Sequence, residues 1–116
     1  MHNTSVINLD GVLLATLEGE LTDEAAAGLR TELASRVVAT SASGVLIDVS
    51  SLDIVDSFLA RVLHEIAAAT ALLAAETVVV GMRPEVAITL VELGLTLPGL
   101  RTALTVADGL ALLGKP

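Results

Sequence analysis

The chain is 116 residues long, room for one domain spanning 1–116, and 53% apolar against 17% charged residues supplies a packed core, not a disordered tail. Six Lys+Arg against 14 Asp+Glu give a net charge of −8, which opposes any phosphate backbone, and Phe58 is the sole aromatic residue, so direct nucleic-acid binding is excluded. Cysteine is absent, which removes disulfides, thiolate metal sites and thiol nucleophiles. Residues 1–5 carry neither a basic nor an apolar leader signal, and the apolar stretch 66–75 is too short to span a bilayer. These features, with the lack of disulfides, predict a cytoplasmic protein that does not enter a membrane.

In chain order, residues 6–9 and 12–17 flank Asp10-Gly11, a strong signal for a two-residue β-hairpin turn. Thr22 then caps a helix whose first turn holds Asp23 and Glu24, at the positive end of the macrodipole. Ala26, Leu29, Leu33 and Val37 recur at helical spacing as its buried face, with Glu32 and Arg36 as an i,i+4 pair outside. Ser41-Ala42-Ser43-Gly44 ends the helix, and the apolar run around Asp48, 45–49, reads as a central strand covered on both faces. From Asp56 a second amphipathic helix places Phe58, Leu59, Val62, Leu63, Ile66 and Leu73 inward and Arg61, His64 and Glu65 outward. Residues 77–80 form the next buried strand, closed by Gly81. Pro84 opens a third helix with Val86, Ala87, Leu90, Val91 and Leu93 inward and Gly94 as its stop. After a Pro98-Gly99 turn, 102–106 reads as a strand and 108–113 as a last helix. The fold class is α/β: one domain with a mixed, mostly parallel sheet flanked by helices and opening with a hairpin.

The densest polar cluster, Asp48 to Phe58, lies where a central strand gives way to a helix, the edge at which open α/β sheets place functional groups. Ser57 falls at the helix N-terminus, where backbone N–H groups lack partners and the dipole accepts negative charge. A phosphate there would join Asp53 and Asp56 in repelling a docked partner, the outline of a switch. The competing reading is purely local: Ser and Asp between strand and helix are helix caps, and Asp48 is a strand-end residue bonding loop amides. A hydrolase triad fails, because seven helical residues separate Ser57 from His64 by about 10 Å and no G-x-S-x-G elbow is present. His2 and His64 lack metal-ligand spacing, so no metal and no cofactor is indicated. Residues 94–99 offer no lysine for a phosphate, the only lysine is Lys115, and Arg30, Arg36, Arg61, Arg83 and Arg101 form no nucleotide motif. The expectation is a substrate or scaffold, not an enzyme. The Ala-rich stretch 67–75 is apolar around its circumference, and such surplus predicts self-association, against the plainer reading of small exposed methyls.

The run Asp48-Val49-Ser50-Ser51-Leu52-Asp53-Ile54-Val55-Asp56-Ser57-Phe58, followed by Val78-Val79-Val80-Gly81-Met82-Arg83-Pro84 and Leu90-Val91-Glu92-Leu93-Gly94, resembles the STAS domain of anti-sigma-factor antagonists. Asp56-Ser57-Phe58-Leu59-Ala60-Arg61 joined to residues 84–94 is most similar to the RsbS-type proteins of the bacterial stressosome. The resemblance covers nearly the whole chain. It implies that Ser57 is phosphorylated by an RsbT-type serine kinase and dephosphorylated by an RsbX-type phosphatase, within a surface holding Asp53, Asp56, Phe58 and Arg61. It also implies co-assembly with RsbR-type STAS paralogues into a large cytoplasmic stress-signalling complex, in which this chain forms homo-oligomers such as dimers. RsbR-like relatives carry a further N-terminal sensory domain, and the resemblance implies that this chain is instead of the short, single-domain type. Unphosphorylated protein would hold the kinase and phosphorylation would release it. Two other readings stay open: a SpoIIAA-like antagonist that binds an anti-sigma factor directly, and a small-ligand-binding STAS module. Arg83 receives no role.

Overall fold

The computed structural model describes residues 4–53, 56–92 and 100–114. The elements are β1 (Thr4–Asn8), β2 (Val12–Gly19), α1 (Asp23–Thr40), β3 (Gly44–Leu52), α2 (Ser57–Ala71), β4 (Glu76–Val80), α3 (Pro84–Glu92), β5 (Arg101–Ala103) and α4 (Val106–Leu112). The strands lie side by side in chain order, β1 antiparallel to β2 and the remaining pairs parallel. Asp10 and Gly11 both have positive φ, 52° and 92°, the conformation that a tight hairpin turn requires.

The hairpin also determines which groups of β1 face outward. Leu9 and Val12 exchange backbone hydrogen bonds across the turn, so Ile7 pairs through hydrogen bonds with Leu14 while Val6 directs its N–H and C=O to the open edge. Arg36 of α1 reaches that edge, and its Nη1 donates to the Val6 carbonyl at 2.8 Å.

Parallel neighbours need a crossover helix, and right-handed crossovers that step in one direction all lie on one face of the sheet. Leu13, Ala15 and Leu17 of β2, Val45, Ile47 and Val49 of β3 and Val79 of β4 accordingly pack with Leu29, Leu33 and Val37 of α1 and Leu59, Leu63 and Ile66 of α2. The alternate residues Val12, Leu46, Val78 and Val80 face the other way and are covered by Val106 and Leu110 of α4. Helix α4 sits so close that a Cβ on Gly109 would come within 2.7 Å of Val80 Cγ1. On the opposite face Thr70 is buried, and its hydroxyl meets Thr77 Oγ1 at 2.7 Å and the Ile66 carbonyl at 3.0 Å, joining α2 to β4 by a satisfied polar contact.

Two expectations change. The helical run from Asp56 stops at Ala71 and does not reach Leu73, because Ala74 adopts φ 61° and the Leu73 and Ala75 amides both return to the Thr70 carbonyl. Leu73 is 38% exposed and Leu72 89% exposed on that turn. The strand expected over 102–106 is Arg101–Ala103, and Val106 opens α4, because Thr105 is its N-cap and accepts from the Asp108 amide at 3.1 Å. Leu93, Gly94, the Pro98-Gly99 turn, Lys115 and His2 lie outside the described residues, as do the side chains of Leu90 and Val91.

Candidate functional site

The polar cluster sits at the C-terminal end of β3. Asp48 is the fifth of the nine residues of β3, and its Oδ1 accepts from both the amide and the hydroxyl of Ser50 in the same strand, at 2.9 and 2.7 Å, which corrects the expectation of a strand-end residue bonding loop amides. Gly81 lies against this pair with φ 77°, and a Cβ on it would approach Ser50 Cβ to 2.8 Å. Two bonds anchor the end of β3 and the residue after it: the Asp53 amide donates to the Gly19 carbonyl at 2.8 Å, and Arg83 Nη2 donates to the Leu52 carbonyl at 2.9 Å. Arg83 also supplies the carbonyl that accepts the Val86 and Ala87 amides, so one residue starts α3 and ties it to β3.

On the far side of residues 54 and 55, Asp56 is extended, with φ −142° and ψ −172°, and its Oδ1 accepts from the Leu59 amide at 3.1 Å. Asp56 is therefore the N-cap of α2 and Ser57 its first helical residue, which corrects the reading of Ser57 as the cap. Ser57 is exposed, and among the described residues its hydroxyl has no hydrogen-bond partner. Phe58 is half-buried against the core, Leu59 and Ala60 are buried, and Arg61 returns to the surface one turn after Ser57.

Phe58 forms the ridge between two hollows. One, of about 320 Å³, is lined by Glu20, Leu21, Thr22 and Asp23 of the β2–α1 corner with Asp56, Phe58 and Leu59. The other, of about 220 Å³, runs between α1 and α2 and is bounded by Asp23, Phe58, Arg61 and the exposed ion pair Arg30–Glu65. Asp56 thus lines the first hollow and Arg61 the second, with Phe58 common to both, whereas Asp53 lines neither.

A STAS domain model matches residues 3–109. The chain belongs to the STAS domain family. Within that family its similarity is to the RsbS-type stressosome proteins. A serine-to-glutamate variant of RsbS from Moorella thermoacetica is 36% identical, with 96% of this chain and 94% of that one covered and a TM-score of 0.81. A chain from a structure of the stressosome, described there as a signal integration and transduction hub, is 37% identical over 95% of this chain and 96% of its own, with a TM-score of 0.79. The RsbT co-antagonist protein RsbRD of Bacillus subtilis is 32% identical over 102 residues, 88% of this chain, which spans 37% of that protein's length.

Several contacts of this STAS domain carry little sequence signal. The β2–α1 corner lines the first hollow only because β2 and β3 are paired, so Glu20 and Thr22 meet Asp56 and Phe58 across more than thirty positions of chain. The Arg30–Glu65 pair and the Arg83–Leu52 bond are equally non-local, and the second ends on a backbone carbonyl that no residue type marks. The capping role of Asp56 was available in principle, since Asp ranks high at N-cap positions and the aliphatic run begins three residues later. Among the described residues no cluster of His, Asp or Glu could hold a metal ion, and no helix is long and apolar enough to cross a membrane.

Proposed function

We propose that this STAS domain is a non-enzymatic, cytoplasmic stressosome scaffold that holds an RsbT-type serine kinase and releases it when Ser57 is phosphorylated. The observation that carries the reading is the division of labour at the start of α2. Asp56 provides the cap, which leaves the Ser57 hydroxyl exposed and without a partner, so a phosphate can be added there without dismantling the helix start. The two first-turn amides that the Asp56 cap leaves open, those of Ser57 and Phe58, and the dipole favour that charge locally. The same charge, about −1.5 to −2, would stand next to Asp56 and near a hollow already holding Glu20 and Asp23, which weakens an acidic partner surface docked there. The Phe58 ridge gives the partner an apolar anchor and Arg61 a cationic one. Likeness to RsbS and to an RsbT co-antagonist supports the kinase as partner and RsbR-type paralogues as co-assembling chains, with an RsbX-type phosphatase resetting Ser57. Homo-oligomers within such a complex fit the exposed Val38 and Leu72 at the opposite end of the helices.

The test is intact and fragment mass spectrometry after incubation with Mg-ATP and an RsbT-type kinase, with a kinase-free control. One phosphate on Ser57 that appears only with kinase is the expected result. No phosphate, or phosphate at another residue, would end the switch reading.

A further inference from the structure

Four of the five arginines in the sequence have partners. Arg30 pairs with Glu65, Arg36 with Glu32 and the Val6 carbonyl, Arg83 with the Leu52 carbonyl, and Arg101 with Glu76 and the Leu112 carbonyl. Arg61 alone has none among the described residues. It stands four residues after Ser57 on α2, which places the two side chains on one face of the helix about 6 Å apart along the axis. An acid N-terminal to a base at this spacing is the favourable order for a helical ion pair.

We propose that Arg61 is an internal latch for phosphoserine 57: once the phosphate is present, the guanidinium leaves the hollow between α1 and α2 and pairs with it across one helical turn. The inference rests on the phosphorylation reading above and gives it a second effect. Phosphorylation then adds negative charge at the helix start and simultaneously withdraws the one uncommitted arginine from the docking surface. A partner loses its cationic anchor as well as meeting repulsion. The acids that compete for Arg61 are weaker rivals. Glu65, one turn further along α2, is held by Arg30 from α1. Asp56 is committed through Oδ1 to the Leu59 amide, and Asp23 lies across that hollow at the start of α1. His64 is the remaining basic group nearby on α2, and it is common to every variant below.

The test uses the full chain with phosphoserine installed at position 57 during translation, independent of any kinase, and follows the ³¹P shift of the phosphate against pH. A neighbouring guanidinium favours the dianion, so the second phosphate ionisation, ordinarily near pH 6, is expected about 0.15–0.4 unit lower in the phosphorylated chain than in its Arg61→Ala counterpart. Arg61→Lys should recover part of the difference, since it keeps the charge and loses the planar fork. Equal titration in the parent and Arg61→Ala proteins would overturn the latch and leave the helix dipole as the only local effect. Failure of a kinase to modify Ser57 would instead end the functional reading and leave this titration informative.

Discussion

Replacing Asp56 by Ala removes the side chain that accepts an orphan amide at the start of α2, the 3.1 Å bond from Leu59. Loss of an N-cap costs about 1 kcal/mol, and because Asp56 is exposed, water can reach part of the freed donor, which keeps the value from the upper end of the range. At roughly 2.1 cal/mol/K of unfolding entropy per residue, a chain of this length loses about 4 °C in Tm for each kcal/mol. Ser57→Ala should cost no more than a few tenths of a kcal/mol, about 1 °C, because Ser57 is the first helical residue and Ala is a good helix former. Asp56→Asn keeps the acceptor and should fall between, losing only the charge–dipole part. Thermal unfolding of the three variants by circular dichroism gives the ranking directly. A Ser57→Ala loss equal to or larger than that of Asp56→Ala would refute the assignment of cap and exposed hydroxyl, and with it the argument that the phosphosite is separable from the fold.

The same substitution should act with opposite sign at two glycines: Gly109→Ala drives a methyl to 2.7 Å from Val80 Cγ1 and 2.9 Å from Leu46 Cδ2 and should lower stability by about 1–3 kcal/mol. Gly28→Ala, in the interior of α1 with nothing within 4 Å of the new Cβ, should raise it by about 0.5–1 kcal/mol, and urea titration reads both. Thr70→Val leaves the buried Thr77 hydroxyl without its side-chain partner and should cost about 1–3 kcal/mol, while Thr70→Val with Thr77→Val should recover most of it; a strictly additive double mutant would contradict the pairing. Arg83→Ala removes the guanidinium bond to the Leu52 carbonyl but keeps the backbone carbonyl that Val86 and Ala87 bond, so it should speed hydrogen exchange at the neighbouring Asp53 amide while leaving α1 unchanged.

The parts of the fold that were legible in the sequence are those decided within one turn of chain. Asp10-Gly11 sets its own hairpin, and Thr22 with Ala26, Leu29, Leu33 and Val37 specifies both the start and the buried face of α1, all four residues being at most 6% exposed. At the C-terminal end the apolar and threonine run 102–106 imitates a strand, yet the short-range bond that Thr105 accepts from the Asp108 amide outweighs strand preference and turns Val106 into the first residue of a helix. Leu73 misleads in the same way: it keeps the helical period of its neighbours, but Thr70 collects the terminal amides and closes the helix before it. At the site, Asp56, Ser57, Phe58 and Arg61 fall together because one helix carries them. The two hollows that Asp56, Phe58 and Arg61 line could not be read, because their other walls come from a corner and a helix that only the sheet register brings alongside.

The bond from Arg36 to Val6 bears on solubility. Strand β1 is an open sheet edge of five residues with no lysine, no proline and no bulge, and Ile7 on it is half exposed, so it lacks the usual local defences against edge-to-edge pairing. Arg36 occupies one of its outward carbonyls, and the net charge of −8 keeps other copies at a distance. The second defence is screened over about 10 Å at 0.1 M salt, whereas the first is a fixed contact. Raising ionic strength therefore shifts the burden of keeping this edge unpaired onto one guanidinium.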